Sequence, residues 1–222
     1  MLSLNNWLRN HPIFTSFLYR SLGRNRYKIE QDNSLLIKGC FIKKTRIIVN
    51  GKNNKVHIIG GNTRLRHCSI YVSGNDNHIT ISSGCLLDNV EIYIEDDGNQ
   101  VFIGEGVEMY GRVHLAVTEG TSLWIGKKCL FSQNVIIRTG DSHSILDAET
   151  GLRVNPAKNV KICDHVWVGN GVTILKGSVI QSDSVVAANA LVTGKDYYGG
   201  MVYGGNPAKV LRSGIQWDIR RL

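Results

Sequence analysis

The residues able to do chemistry cluster in Arg138-Thr139-Gly140-Asp141-Ser142-His143, followed some way on by Trp167. An imidazole titrates near neutral pH, so His143 can take the proton from a hydroxyl as its oxygen attacks an electrophile. Asp141, two residues earlier, can accept the imidazole N–H and fix one tautomer. It can equally cap the turn that Gly140-Asp141-Ser142 suits. Asp147 and Glu149 are further candidate partners. On these residues alone, an exposed loop histidine without a role is the better reading. Trp167 stands in Asp164-His165-Val166-Trp167-Val168-Gly169, pointing outward, where an indole needs a partner: a bound molecule or a neighbouring subunit. The five cysteines show no CxxC pair or zinc spacing, and none is placed as a nucleophile. His57, His67, His78 and His114 read as surface residues.

These groups must be held by the elements around them, and the spacing of aliphatic residues says what those are. Ile162, Val168, Ile174, Ile180, Val186 and Val192 recur every six residues. Four places after each of the first five stands a smaller residue: Val166, Val172, Ser178, Ser184 and Ala190. A strand puts i, i+4 and i+6 on one side, and a helix does not. A sustained period of six marks a parallel β-helix, each hexad forming one side of a three-sided coil whose neighbours bury one another.

Upstream the period lengthens to 22, through Ile37, Ile59, Ile81, Ile103 and Ile125. Val49, Tyr71, Tyr93, Leu115 and Ile137 follow on one side; Leu65, Leu87, Met109 and Phe131 lie midway, with Lys43 breaking that apolar column. Four extra residues per coil recur at one corner, around Asn53-Asn54, Asn75-Asp76-Asn77, Gly98-Asn99 and Gly120-Thr121, all tolerant of left-handed backbone angles. Roughly seven coils result. Between Ile137 and Ile162 there are 25 residues where six would serve, so a long loop, bounded as 138–161, leaves at that corner. Long loops on rigid scaffolds carry function. The coils beyond it lack the corner bulge, which leaves a groove.

The predicted fold is therefore all-β: a β-helix over 35–197, a basic helical cap over 1–34 and a tail or short helix over 198–222. In the cap, Leu4, Leu8, Phe14, Phe17, Leu18 and Leu22 make a rough helical stripe among arginines. It shields the open end of the column or lies on an anionic membrane. The chain carries a formal charge of +8, which suits an anionic partner or a solvated basic surface. No apolar run is long enough to span a bilayer, no signal peptide is evident, and the cysteine usage fits a reducing compartment. The expected location is cytoplasmic, with a membrane-peripheral position for 1–34 as one reading.

The hexads, Val168-Gly169-Asn170-Gly171-Val172 and the tail Gly205-Asn206-Pro207-Ala208-Lys209 together resemble the hexapeptide-repeat acyltransferases, most nearly those that O-acetylate sugars and polysaccharides. That resemblance implies a left-handed winding, a homotrimer with active sites between subunits, and acetyl-CoA as donor without a metal. It implies that His143 is the catalytic base and that Trp167 stands in the wall of the site. By match to the family's motifs, Asn170, Ala188 and Thr193 contact the pantetheine arm, and Lys195, Lys209 and Arg212 meet the nucleotide phosphates. The Asn and Asp that hold the sugar in galactoside and maltose acetyltransferases are missing. Tyr110 and Arg112 stand there instead, and the arginine suggests an acidic acceptor, though it could salt-bridge Glu105 or Glu108.

The implied activity is O-acetylation of a capsular or lipopolysaccharide-type glycan or its precursor, with no nucleic-acid partner. The alternatives are N-acetylation of an amino sugar, and a silent β-helix that acts as a structural trimer module. γ-type carbonic anhydrases share the fold, but His143 and His165 lack the His-x4-His that would complete a metal site.

Overall fold

The computed structural model describes residues 23–221, which form a single sheet of 21 strands with no helix among the described residues. In chain order the strands are Arg26–Ile29 (β1), Ser34–Lys43 (β2), Arg46–Asn50 (β3), Lys55–Arg66 (β4), Ser69–Ser73 (β5), His78–Ile81 (β6), Leu86–Glu95 (β7), Gln100–Ile103 (β8), Glu108–Val117 (β9), Ser122–Ile125 (β10), Leu130–Phe131 (β11), Ile136–Arg138 (β12), Val160–Ile162 (β13), Trp167–Val168 (β14), Thr173–Ile174 (β15), Val179–Ile180 (β16), Val185–Val186 (β17), Leu191–Val192 (β18), Asp196–Tyr197 (β19), Met201–Gly204 (β20) and Lys209–Ser213 (β21).

Parallel pairing stacks them into three faces. The first holds the starts of β2 and β4, then β6, β8, β10, β13, β16 and β19. The second holds the ends of β2 and β4, the starts of β7 and β9, then β11, β14, β17 and β20. The third holds β1, β3, β5, the ends of β7 and β9, then β12, β15 and β18. The solenoid has about 8 turns rather than seven.

The interior follows the hexads closely. Ile162, Val168, Ile174, Ile180, Val186 and Val192 are fully buried, as are the small residues Val166, Val172, Ser178, Ser184 and Ala190 between them. Cys40, Cys68, Cys85 and Cys129 are buried free thiols.

The 22-residue count slips where coils differ in length. Ile37 pairs with Ile58, and Ile58 with Ile81, so Ile59 faces solvent and Ile58 takes the core. Ile42, not Lys43, pairs with Leu65, so the apolar column is unbroken. On the third face Val72 and Ile94 are buried, while Tyr71 and Tyr93 stack on the outside with ring centroids 5.1 Å apart. A one-residue shift exchanges the two sides of a strand.

The corner between the third and first faces holds more than turns. Asn53, Asp76, Gly98 and Gly120 do take positive φ there. Beside them Asn54, Asn77, Asn99, Thr121 and Thr139 are buried. Their side chains form a ladder: Asn54 Nδ2 to Asn33 Oδ1 at 2.9 Å, Asn77 N to Asn54 Oδ1 at 2.9 Å, Asn99 Nδ2 to Asn77 Oδ1 at 3.0 Å. Thr121 continues it to Asn99 and to Thr139 Oγ1 at 2.7 Å. Buried polar groups persist where each finds such a partner. The ladder ends at Thr139, where the long loop departs.

Both ends differ from expectation. Of the predicted helical cap, residues 1–22 lie outside the described residues. Residues 26–29 are not helical but form β1, already paired with β3. The coil therefore starts before residue 35. At the other end no helix forms among the described residues of the tail. β21 turns back antiparallel on β20, and buried Tyr197 and Tyr203 pack edge to face at 5.0 Å across the last coil. No helix among the described residues is long and apolar enough to cross a membrane.

Candidate active site

The loop runs between β12 and β13, so Arg138, Val160 and Lys161 belong to strands and residues 139–159 leave the column. Its conformation is fixed by five side chains. Arg153 meets Glu119 through both guanidinium nitrogens, at 2.6 and 2.9 Å, and the Ala157 N–H also donates to that carboxylate. Lys176 donates to Asp141 at 2.5 Å and to the Asn155 carbonyl at 2.8 Å. Asn155, buried, lies at the centre. Its Oδ1 accepts from Ile145 N at 2.7 Å and Arg153 Nε at 3.2 Å. Its Nδ2 donates to Asp141 Oδ2 at 2.9 Å and to the His143 carbonyl at 2.8 Å.

Glu119 comes from the coil before the loop and Lys176 from the coil after it, so the loop is pinned to its corner from both sides. The hydrogen bond from Arg153 holds the Glu119 carboxyl below its usual range, and that from Lys176 does the same for Asp141. Asp141 Oδ2 is thus committed to Lys176 and Asn155. Asp147 caps its own turn, accepting from the N–H groups of Glu149 and Thr150.

His143 is exposed at the tip of this brace. The residue before it, Ser142, borders a hollow of about 290 Å³ on the third face, lined also by Glu91, Tyr93, Glu95, His114 and Arg138 among others. The Glu91 carboxylate accepts from His114 Nδ1 at 2.8 Å, and Tyr93 donates to Glu95 at 2.9 Å. Carboxylates, a phenol and an imidazole converging on one hollow can hydrogen-bond the hydroxyls of a sugar. Sequence reasoning placed His114 outward, and the structure adds its role in this wall. Of the two residues at the position of the family's acceptor contacts, Tyr110 is on the second face with its hydroxyl on Glu108 at 2.6 Å; burial and that bond push it up to about 12. Arg112 lies at the next corner and makes no ion pair with Glu105 or Glu108.

Trp167 is exposed on the second face, the side of the prism opposite the loop corner. Trp217 from the tail packs there. It stacks on His165 at 4.2 Å, approaches the Trp167 ring at 6.1 Å and donates its indole N–H to the His165 carbonyl at 2.8 Å. His165 also bonds Asp183 through Nδ1 at 2.8 Å. The only signal for this cluster was an aromatic residue in a polar tail.

The expected coenzyme residues divide into three places. Asn170 and Ala188 occupy successive turns at the corner between the second and third faces, where the Asn189 N–H reaches the Asn170 carbonyl at 2.8 Å. Gly169 lets these coils close up, because a Cβ there would come within 2.8 Å of Ala188 N. Thr193 and Lys195 lie at the loop corner, where the Thr193 N–H donates to Tyr197. Lys209 and Arg212 are exposed on β21.

Among the described residues no three His, Cys, Asp or Glu side chains group as metal ligands. Burial pushes the Cys129 thiol up to about 12, leaving it an inert core residue.

No model of a known protein family matches the chain. A polysialic acid O-acetyltransferase of Neisseria meningitidis is 30% identical over 188 residues, covering 75% of this chain and 86% of that protein. A polysialic acid O-acetyltransferase of Escherichia coli O1:K1 / APEC is 34% identical over 120 residues, or 54% of this chain and only 36% of the length of that relative. Among solved structures, the polySia-specific acetyltransferase NeuO superposes with a TM-score of 0.74 at 29% identity, covering 88% of this chain and 85% of that one.

Proposed function

This chain belongs to the hexapeptide-repeat acyltransferases, and on that basis we propose that it transfers an acetyl group from acetyl-CoA to a hydroxyl of a capsular or lipopolysaccharide-type glycan or its precursor. The observation that carries the reading is the braced loop, which carries His143 next to Ser142, a residue bordering a hollow suited to sugar hydroxyls.

The step is direct. The His143 imidazole takes the proton of the acceptor hydroxyl as its oxygen adds to the thioester carbonyl. The tetrahedral intermediate collapses with cleavage of the C–S bond, and the imidazolium returns the proton to the departing thiolate. Asp141, held by Lys176 and Asn155, positions the loop.

Two copies of the chain build one site. Within a chain, Trp167 lies on the face opposite the loop corner, so a neighbour's second face supplies the indole. A trimer repeats that contact by symmetry. The division of the coenzyme residues agrees with this assembly: the arm lies between subunits and contacts the Asn170–Ala188 corner of one and the Thr193–Lys195 corner of the next. Lys209 and Arg212 meet the phosphates. The acetyl donor places the reaction in the cytoplasm.

The test is glycan-dependent thiol release from acetyl-CoA by the wild type and by His143→Ala. The variant should fall by about a hundredfold or more while remaining folded. Full activity of the variant would remove His143 from the mechanism.

A further inference from the structure

Beyond β21 the tail has no part in the reaction proposed above. Gly214, at a φ of 67°, turns the chain, and the residues after it climb the corner between the first and second faces. The Ile215 N–H donates to the Gly200 carbonyl at 3.1 Å, and the Trp217 indole N–H donates to the His165 carbonyl at 2.8 Å. At that corner Gly200 bonds Ser182 of the coil before it, and Asp183 bonds Asp164 of the coil before that. The tail therefore crosses from the last coil to the one that carries Trp167.

Trp167 is an indole that needs holding. Its backbone is paired to Leu130 and Val185 on the coils to either side. Those pairings leave its side-chain torsions open, and the residue is 40% exposed. The aromatic ring beside it is Trp217, with centroids 6.1 Å apart and planes tilted by 41°, within the range of a favourable aromatic pair.

Trp217 is itself fixed. It stacks on His165 at 4.2 Å with planes 11° apart, its N–H is committed to the His165 carbonyl, and His165 Nδ1 bonds Asp183. His165 has a φ of 55°, two residues before Trp167, a left-handed conformation unfavourable for a residue with a Cβ. One side chain thus clamps both the turn that leads into Trp167 and the Trp167 ring.

We propose that Trp217 is a positioning residue for acyl transfer: it sets the orientation in which the second face presents the Trp167 indole to the neighbouring subunit's loop. It acts through Trp167 and touches no substrate atom. A ring ordered on folding need not be ordered again at each turnover. This rests on the acyl-transfer reading above, in which Trp167 belongs to the site.

The experiment uses the full chain labelled with fluorotryptophan, as wild type, Trp217→Phe, Trp217→Ala, Trp167→Ala and the double alanine variant. Loss of a fluorine resonance in Trp167→Ala identifies the Trp167 line. That line should be single and narrow in the wild type. Trp217→Ala should broaden or split it as the ring samples further rotamers, and Trp217→Phe should do so less; a change of position alone reports only the lost ring current. Thiol release is measured with the glycan that drives it in the wild type. Trp217→Ala should lower kcat about tenfold and Trp217→Phe about threefold. KM for acetyl-CoA should stay within about twofold, because Asn170 and Ala188 occupy the other edge of the second face. Adding Trp217→Ala to Trp167→Ala should cost nothing further.

A Trp167 line that stays single and narrow in Trp217→Ala would overturn the proposal. So would losses that multiply in the double variant, or a fall in kcat that tracks dissociation of the oligomer, since Trp217 would then serve only the interface. A broadened line with no thiol release by the wild type on any glycan would uphold the hold of Trp217 on Trp167 and overturn the acyl-transfer reading. Glycan-dependent release with an unchanged line would do the reverse.

Discussion

Replacing Asn155 with alanine tests whether the loop acts through its brace. Four bonds disappear: two to neutral backbone groups, Ile145 N and the His143 carbonyl, and two to charged side chains, Asp141 and Arg153. Neutral bonds contribute about 1 kcal/mol each and charged ones about 1.5–3. The loop is exposed, so water replaces much of this, and a net loss of about 2–3 kcal/mol in the ordered loop is expected. At 1.4 kcal/mol per decade, kcat/KM should fall between about thirtyfold and a hundredfold.

The column below is untouched, so the thermal midpoint should move little. Steady-state thiol release, limited proteolysis of residues 139–159 and thermal denaturation read the three quantities separately. A double variant with His143→Ala should be no slower than His143→Ala alone, because a positioning residue has nothing left to position. The reasoning is refuted if Asn155→Ala keeps activity within threefold of wild type, or if the two losses multiply.

Acid should release the same brace. Glu119 and Asp141 have carboxyls lowered in the folded chain by Arg153 and Lys176, so their contribution is fully present above the unfolded values of 4.5 and 3.8 and is lost as pH falls through the lowered ones. Proteolysis of the loop should stay slow from pH 8 to about 5 and rise only below about 4; release near pH 6 would contradict the assignment. Asn77→Ala strands the Asn99 N–H in a buried corner, while the Asn99 amide keeps the Glu95 and Asp96 carbonyls, and urea titration should show a loss of about 1–3 kcal/mol. A loss under 0.5 kcal/mol would mean the ladder is not what holds that corner.

The register of the column shows where sequence reading holds and where it slips. From Ile162 on, each aliphatic of the six-residue series fell inside, because six is a multiple of the two-residue strand period and no extra residue interrupts it. In the earlier coils the strict count chose Ile59, Tyr71 and Tyr93 for the interior, and the structure turned each of them out. Coils there vary between 21 and 23 residues, and one inserted residue at a corner reverses a whole side. The tyrosines carried a warning, since a phenol needs a partner when buried.

His143 and Trp167 stand out as candidates because each belongs to a local pattern: a loop leaving a regular repeat, and a hexad with an outward indole. The brace around His143 was not. Glu119, Asn155 and Lys176 come from three segments, and nothing in their spacing says that they converge; stacking coil on coil does that. Trp217 is still more remote, reaching His165 across 52 residues because the tail folds back over the second face.

By itself, the sequence determined the parallel coil and the position and size of its loop, and offered His143 as a candidate proton carrier. Periodicity and propensity are local properties, and a single chain records them fully. Only the tertiary structure decided which side chains hold that loop, which residues border the hollow on the third face, and that Trp167 lies on the side away from His143. Those facts depend on the registry between coils, which each corner sets through the count of residues it inserts.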